Sequence, residues 1–93
     1  MSKTNKKQIN IFKYIMCLGR GVHNIKLPKN TVLLDIQIQD GKIALWAEVD
    51  FNEKEMVPVG FNVYYTGDQV SDASYLKTLV DERGIVYHVY KQD

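Results

Sequence analysis

Residues 32–49 read VLLDIQIQDGKIALWAEV, and the Asp40-Gly41 pair in the middle of that stretch decides the fold. Val32, Leu34, Ile36 and Ile38 alternate on one side of the pair, and Ile43, Leu45, Ala47 and Val49 alternate on the other. Asp-Gly between two alternating runs predicts a two-residue type I′ turn. Gly takes the positive φ that both central positions need, and Asp is among the few other side chains that do. With Gln39 opposite Lys42, counting outward pairs Ile38 with Ile43, Ile36 with Leu45, Leu34 with Ala47 and Val32 with Val49. One face of the hairpin is then wholly apolar. The other carries Gln39 with Lys42, Gln37 with Ala44, Asp35 with Trp46 and Leu33 with Glu48. A one-residue slip would scramble both faces, so the register is well specified. It leaves the Trp46 indole among Gln, Lys, Asp and Glu, where either a partner subunit or a ligand ring would have to cover it.

A chain of 93 residues makes one domain, burying roughly 60–65% of its unfolded surface, a modest core that self-association would reinforce. Apolar and charged fractions of 45% and 25% are those of an ordinary soluble protein. No apolar run approaches the ~18 residues of a membrane span, and the start MSKTNKKQIN lacks the apolar centre of a signal peptide, so the cytoplasm is the expected compartment. Cys17 is the only cysteine, which excludes an intrachain disulfide and a CxxC metal pair. With His23 and His88 far apart in sequence, no metal site and no cofactor are expected. The net charge of +1 conceals an asymmetry: residues 1–30 hold seven bases and no acid, whereas residues 31–93 hold five bases and eleven acids. If the first strands lie together they make a basic edge beside an acidic body. Residues 1–8 read as a basic, flexible tail and residues 9–93 as the folded domain. Lys13 and Arg20, in or beside the first strand, are better placed to hold phosphate.

Outside the hairpin the chain alternates β-rich runs with turn signals. Residues 9–17 (INIFKYIMC) and 22–27 (VHNIKL) read as strands, separated by Leu18-Gly19-Arg20-Gly21. Residues 50–57 read as an acidic loop, and Pro58 places the next strand, 59–66, at an edge or at its own beginning. Residues 71–80 fit either a Ser71-capped helix or a strand from about Tyr75. The strand is preferred because Asp81-Glu82-Arg83-Gly84 suits a type I turn with a Gly bulge into residues 84–91. That hairpin would set Leu76, Val80, Ile85 and Val89 on one face and Tyr75, Lys77, His88 and Tyr90 on the other. The expected fold is therefore all-β, with about seven short antiparallel strands in a twisted sheet, a small sandwich or a partly open barrel.

No catalytic constellation is present. Neither histidine has an adjacent nucleophile, no phosphate-binding glycine loop occurs, and Cys17 reads as a small core residue. The chain is not expected to be an enzyme. Asp50, Glu53 and Glu55 fit a solvated loop better than a cation site. Tyr14, Trp46, Tyr64, Tyr65, Tyr75, Tyr87 and Tyr90 are more amphipathic rings than so small a core can take, and the registers turn Trp46, Tyr64, Tyr75 and Tyr90 outward. Rings interleaved with Lys13, Arg20, Lys42 and Lys77 are what nucleotide recognition needs, since bases stack on rings and phosphates take the cations. Thr66-Gly67 adds a hydroxyl and an approachable N–H at a strand end. The same rings would equally serve a subunit interface. Non-specific single-strand binding would ask for more positive charge than +1.

From Ile11 onward the chain resembles a family of small, mostly phage-encoded β proteins described only as a domain of unknown function. The resemblance rests on Ile11-Phe12-Lys13-Tyr14, Leu27-Pro28, Gln39-Asp40-Gly41-Lys42, Leu45-Trp46-Ala47, Phe61, Thr66-Gly67, Tyr75, Thr78 and Val86-Tyr87-His88-Val89-Tyr90. It departs from the pattern around residues 17–23 and 50–58. The pattern is also similar to that of phage sponge proteins that sequester the cyclic-oligonucleotide signal of the bacterial CBASS defence. That resemblance implies a homo-oligomer, dimer or tetramer, that binds a cyclic dinucleotide such as cyclic GMP–AMP without cleaving it. Carried over to this sequence, it implies Trp46 or Tyr14 stacking a base, Lys13 meeting a phosphate, and Thr66-Gly67 or His88 reading a base edge or phosphate. His88 as a hydrogen-bonded sheet residue is the plainer reading. A different class of function, inhibition of a host enzyme by direct protein–protein binding, uses the same aromatic and acidic surfaces.

Overall fold

The structure is a computed structural model that describes residues 8–93. It is all-β, with seven antiparallel strands: β1 (Ile9–Cys17), β2 (Gly21–Pro28), β3 (Val32–Gln39), β4 (Lys42–Asp50), β5 (Met56–Tyr65), β6 (Ala73–Val80) and β7 (Val86–Gln92). They form two sheets, one ordered β1-β4-β3 and the other β2-β5-β7-β6. Among the described residues there is no helix, and residues 73–80 are a strand throughout. The Cα envelope measures 58 × 28 × 15 Å. The basic expectation for residues 1–8 lies, up to residue 7, outside the described residues. β1 and β2 belong to different sheets and do not pair, so the first strands do not form one basic edge.

One core joins the inner faces of the sheets. Met16, Ile36, Ile43 and Leu45 from the first meet Leu27, Phe61, Val63, Leu79, Tyr87 and Val89 from the second. β4, the middle strand of the three, is buried most completely because strands flank it on both sides. The Asp40-Gly41 turn has φ of 52° and 74°, as a type I′ turn requires. Gln39↔Lys42, Ile38↔Ile43, Gln37↔Ala44, Ile36↔Leu45 and Asp35↔Trp46 pair as the turn dictates.

Beyond Asp35 the pairing departs from simple counting. A bulge between Leu33 and Asp35 makes Leu33 the partner of Ala47 and Val32 the partner of Glu48. Leu33 therefore packs against the core, and Val32 and Leu34, expected to be inward, are exposed. A second bulge, between Tyr75 and Lys77, changes the other hairpin in the same way. Leu79 is buried there, Val80 is exposed, Ile85 lies in the connection, and Lys77 pairs with Val89. The two irregularities face each other: Lys77 Nζ donates to Asp35 Oδ1 at 2.7 Å, tying the edge of one sheet to the edge of the other. A regular strand cannot turn its side chains toward both its own sheet and a neighbouring edge, and an inserted residue re-aims them.

Two smaller expectations are also corrected. Met56 and Val57 extend β5 back into the anticipated loop, and Pro58 is accommodated where β5 pairs with β2 but β7 does not reach. Cys17 is exposed, because alternation along β1 sends Met16 inward and Cys17 out beside Lys42. The β6–β7 turn behaves as read, with Gly84 at φ 86° and Asp81 at its centre. The Asp81 carboxylate accepts from the backbone N–H of Arg83 and Ile85 and from the Tyr87 hydroxyl. Burial would raise its pKa, but those bonds, with the Arg83 guanidinium, leave it below the usual aspartate value.

The packing yields two tests. Leu45→Ala, which empties a fully buried site in β4, is expected to cost about 2–5 kcal/mol in urea unfolding. The Asp35 carboxyl is held at about 2 by the Lys77 bond first, then by the Gln37 amide and the Ile36 N–H. The folded protein thus binds that proton less tightly than the unfolded chain, whose carboxyl titrates near 3.8. Its contribution is whole above that value and is lost as pH falls to about 2. The Tm difference between wild type and Asp35→Asn should accordingly shrink across this interval, and a pH-independent difference would contradict the assignment.

Candidate functional site

The outward faces of the two sheets hold different chemistry. On the three-stranded sheet, Lys13, Trp46 and Asp35 form one row across β1, β4 and β3. Lys13 Nζ reaches along the face to Gln39 Oε1 at 2.7 Å, and Asp35 holds both Lys77 and the Gln37 amide. A shallow recess of about 340 Å³ beside the indole is lined by Asp35, Gln37, Ile38, Gln39 and Trp46. Tyr14 lies on the opposite, inner side of β1, packed against the core. Burial raises its phenol pKa, and its ring does not share a face with Lys13 or Trp46.

The outer face of the four-stranded sheet carries the tyrosines. Pairing sets Asn62, Tyr90 and Tyr75 in one row across β5, β7 and β6, and Tyr64, His88 and Thr78 in the next. Tyr90 is the hinge of an aromatic chain, edge-on to Tyr64 at 5.3 Å and to Tyr75 at 5.5 Å between ring centroids. Such edge-to-face contacts hold each ring in place without spending its whole surface. His88 meets the Thr66 hydroxyl through Nε2 at 2.8 Å and the Thr78 hydroxyl through Nδ1 at 3.0 Å, and Thr78 in turn bonds the Tyr75 hydroxyl. Both imidazole nitrogens are engaged, so His88 acts as a bonded sheet residue that orders the face. Gly67, at φ 99°, completes the Thr66-Gly67 turn, which the Asp68 carboxylate closes by accepting from the Tyr65 N–H.

Beside the tyrosines lies a recess of about 500 Å³ lined by Arg20, Asn62, Tyr64, Asp68, Gln69, Ser71 and Gln92, among others. Arg20 Nη1 contacts Asp68 Oδ1 at 3.3 Å, and the guanidinium lies over the Tyr65 ring. Gln92 can lie across β5 because Gly60 offers no side chain there; a Cβ at that position would collide with it. Asn62 is the unusual member. It is 8% exposed, its Nδ2 donates to the Tyr64 hydroxyl at 3.0 Å, and its Oδ1 is buried with no partner in the protein. Buried acceptors are nearly always satisfied by protein or by ordered water, so an orphan of this kind marks a place where a water or a ligand donor would bond.

The structure thus gathers Thr66, Gly67 and His88 on one sheet face and leaves Lys13 and Trp46 on the other. Asn62, Arg20, Gln69, Ser71 and Gln92 were not singled out as a group by sequence reading. Their meeting depends on β2 and β7 lying on either side of β5, which no local pattern encodes.

The chain belongs to the family described as Domain of unknown function (DUF7352), whose profile matches residues 7–93. No curated protein and no solved structure matches it.

If the Asn62 amide is kept for a ligand, stability has been given up for it. Asn62→Leu is therefore expected to leave Tm unchanged or raised, and a clear loss of stability in thermal unfolding would assign Asn62 a purely structural role.

Proposed function

We propose that this protein binds and sequesters a cyclic dinucleotide such as cyclic GMP–AMP without cleaving it. On this reading it is a phage immune-evasion protein that works as a homo-oligomer in the cytoplasm of the infected bacterium and removes the signal of the CBASS defence. The observation that carries the reading is the unpartnered Asn62 Oδ1 in a recess between Arg20 and the tyrosine row. A base amino or ring N–H satisfies such an acceptor, Tyr64 supplies a ring, and Arg20 supplies a guanidinium fork suited to phosphate. Gln69, Ser71 and Gln92 add donors and acceptors around the same recess. His88, committed at both nitrogens, supports holding a ligand over transferring protons. The similarity of the sequence pattern to the sponge proteins supports the same class of ligand.

Titration calorimetry with a panel of cyclic dinucleotides and linear nucleotides, followed by heat release and chromatography of the bound material, tests the reading. One cyclic dinucleotide is expected to bind and to be recovered intact. Asn62→Leu and Arg20→Gln should each weaken binding about tenfold or more, the scale of a lost charge-assisted or buried hydrogen bond. Trp46→Ala, on the opposite sheet, should retain binding; its loss in a folded variant would move the site to the indole recess. No heat from any member of the panel would overturn the proposal, and a stable complex with a host enzyme would then favour the protein-inhibitor reading.

A further inference from the structure

Two sheets of three and four strands have four edges, belonging to β1, β3, β2 and β6. Edge strands expose backbone donors and acceptors, and soluble proteins guard them with charge, proline, bulges or cover. β3 and β6 are bulged where they face each other and are bridged by Asp35 and Lys77. β2 carries Lys26 and ends in Pro28. β1, reading INIFKYIMC, has nine residues in unbroken register with β4 and no proline or bulge. Its one charge, Lys13, is drawn away from the edge, across β4 to Gln39 on β3. Ile9, Ile11, Phe12 and Ile15 are all exposed.

The hydrogen-bonding direction of β1 follows from the hairpin. In a two-residue hairpin the flanking residues form the closing hydrogen-bonded pair, so Lys42, Ala44 and Trp46 turn their N–H and C=O toward β3. Ile43, Leu45, Ala47 and Val49 turn theirs toward β1, where they meet Met16, Tyr14, Phe12 and Asn10. The alternate residues Ile9, Ile11, Lys13, Ile15 and Cys17 therefore point their backbone groups into the open edge.

We propose that β1 is the assembly edge of this protein, pairing antiparallel with β1 of a second copy to make a continuous six-stranded sheet. The occupant is a second copy because the edge is complementary to itself. With a twofold axis at Phe12, Ile9 faces Ile15 of the second copy, Ile11 faces its Lys13, and the two exposed Phe12 rings meet on the inner side. The neighbouring register, centred on Lys13, sets like charges opposite each other and is disfavoured. The proposal deepens the assembly half of the functional reading and is independent of its ligand.

Sedimentation of the full chain tests it, with two variants that leave the β4 ladder intact. Ile11→Pro removes an N–H that points outward, a position where an edge strand accepts proline. Ile11→Lys adds a charge on the same edge. Wild type should sediment as a dimer, or as a larger assembly containing that dimer. Both variants should associate at least about tenfold more weakly with unchanged circular dichroism. A monomeric wild type at concentrations on the order of 100 µM, or full association retained in both variants, would overturn the proposal. Nucleotide titration of the wild type reads out separately, so failure of one proposal does not resemble failure of the other.

Discussion

The position of β4 is the constraint on which the rest depends. Ile43, Leu45, Ala47 and Val49 are buried to within 1%, and no other strand contributes so continuous a row to the core. The type I′ turn delivers β3 to one side of it in a fixed register, and β1 closes the other side. Because side chains alternate, fixing the inward row also fixes the outward one, which places Trp46 between Lys13 and Asp35. A change that shifted β4 by one residue would exchange the core for the surface.

The two sheets are held together by the shared core and aligned by a local device at one side. Paired bulges in β3 and β6 bring Asp35 and Lys77 to 2.7 Å, with both side chains more than a third exposed. An exposed pair of this kind adds little to stability. Its service is to set how the sheet edges meet and to close two of the four edges against strand addition. Of the two that remain, β2 carries Lys26 and ends in Pro28, whereas β1, whose lysine is engaged elsewhere, is the apolar and regular edge.

The division of labour between the outer faces follows from the same geometry. The tyrosine face is ordered from within by edge-to-face rings and by the Thr66–His88–Thr78–Tyr75 chain, which hold its side chains in place. Asn62 stands apart on that face, since its Oδ1 is buried with no partner in the protein.

Sequence by itself determined the all-β class, the Asp40-Gly41 turn, the register from Gln39 to Asp35 and the outward facing of Trp46, Tyr64, Tyr75 and Tyr90. Each of these is a local matter, set by alternation and turn chemistry over a few residues. The bulges at Leu34 and Leu76 carry no local signal, because an inserted residue is chosen by the neighbouring sheet edge and the strand's own pattern reads on unbroken. Cys17 was misplaced, and the inward turn of Tyr14 went unread, for a related reason: alternation along β1 is plain, but which of its faces turns inward is decided by β4. Only the tertiary structure separated Lys13 and Trp46 from Thr66, Gly67 and His88, and only it brought Arg20, Asn62 and Gln92 together. Strand order brings residues distant in the chain to one face, and strand order is decided by how the two sheets bury each other, a long-range energy that no short stretch of this sequence contains.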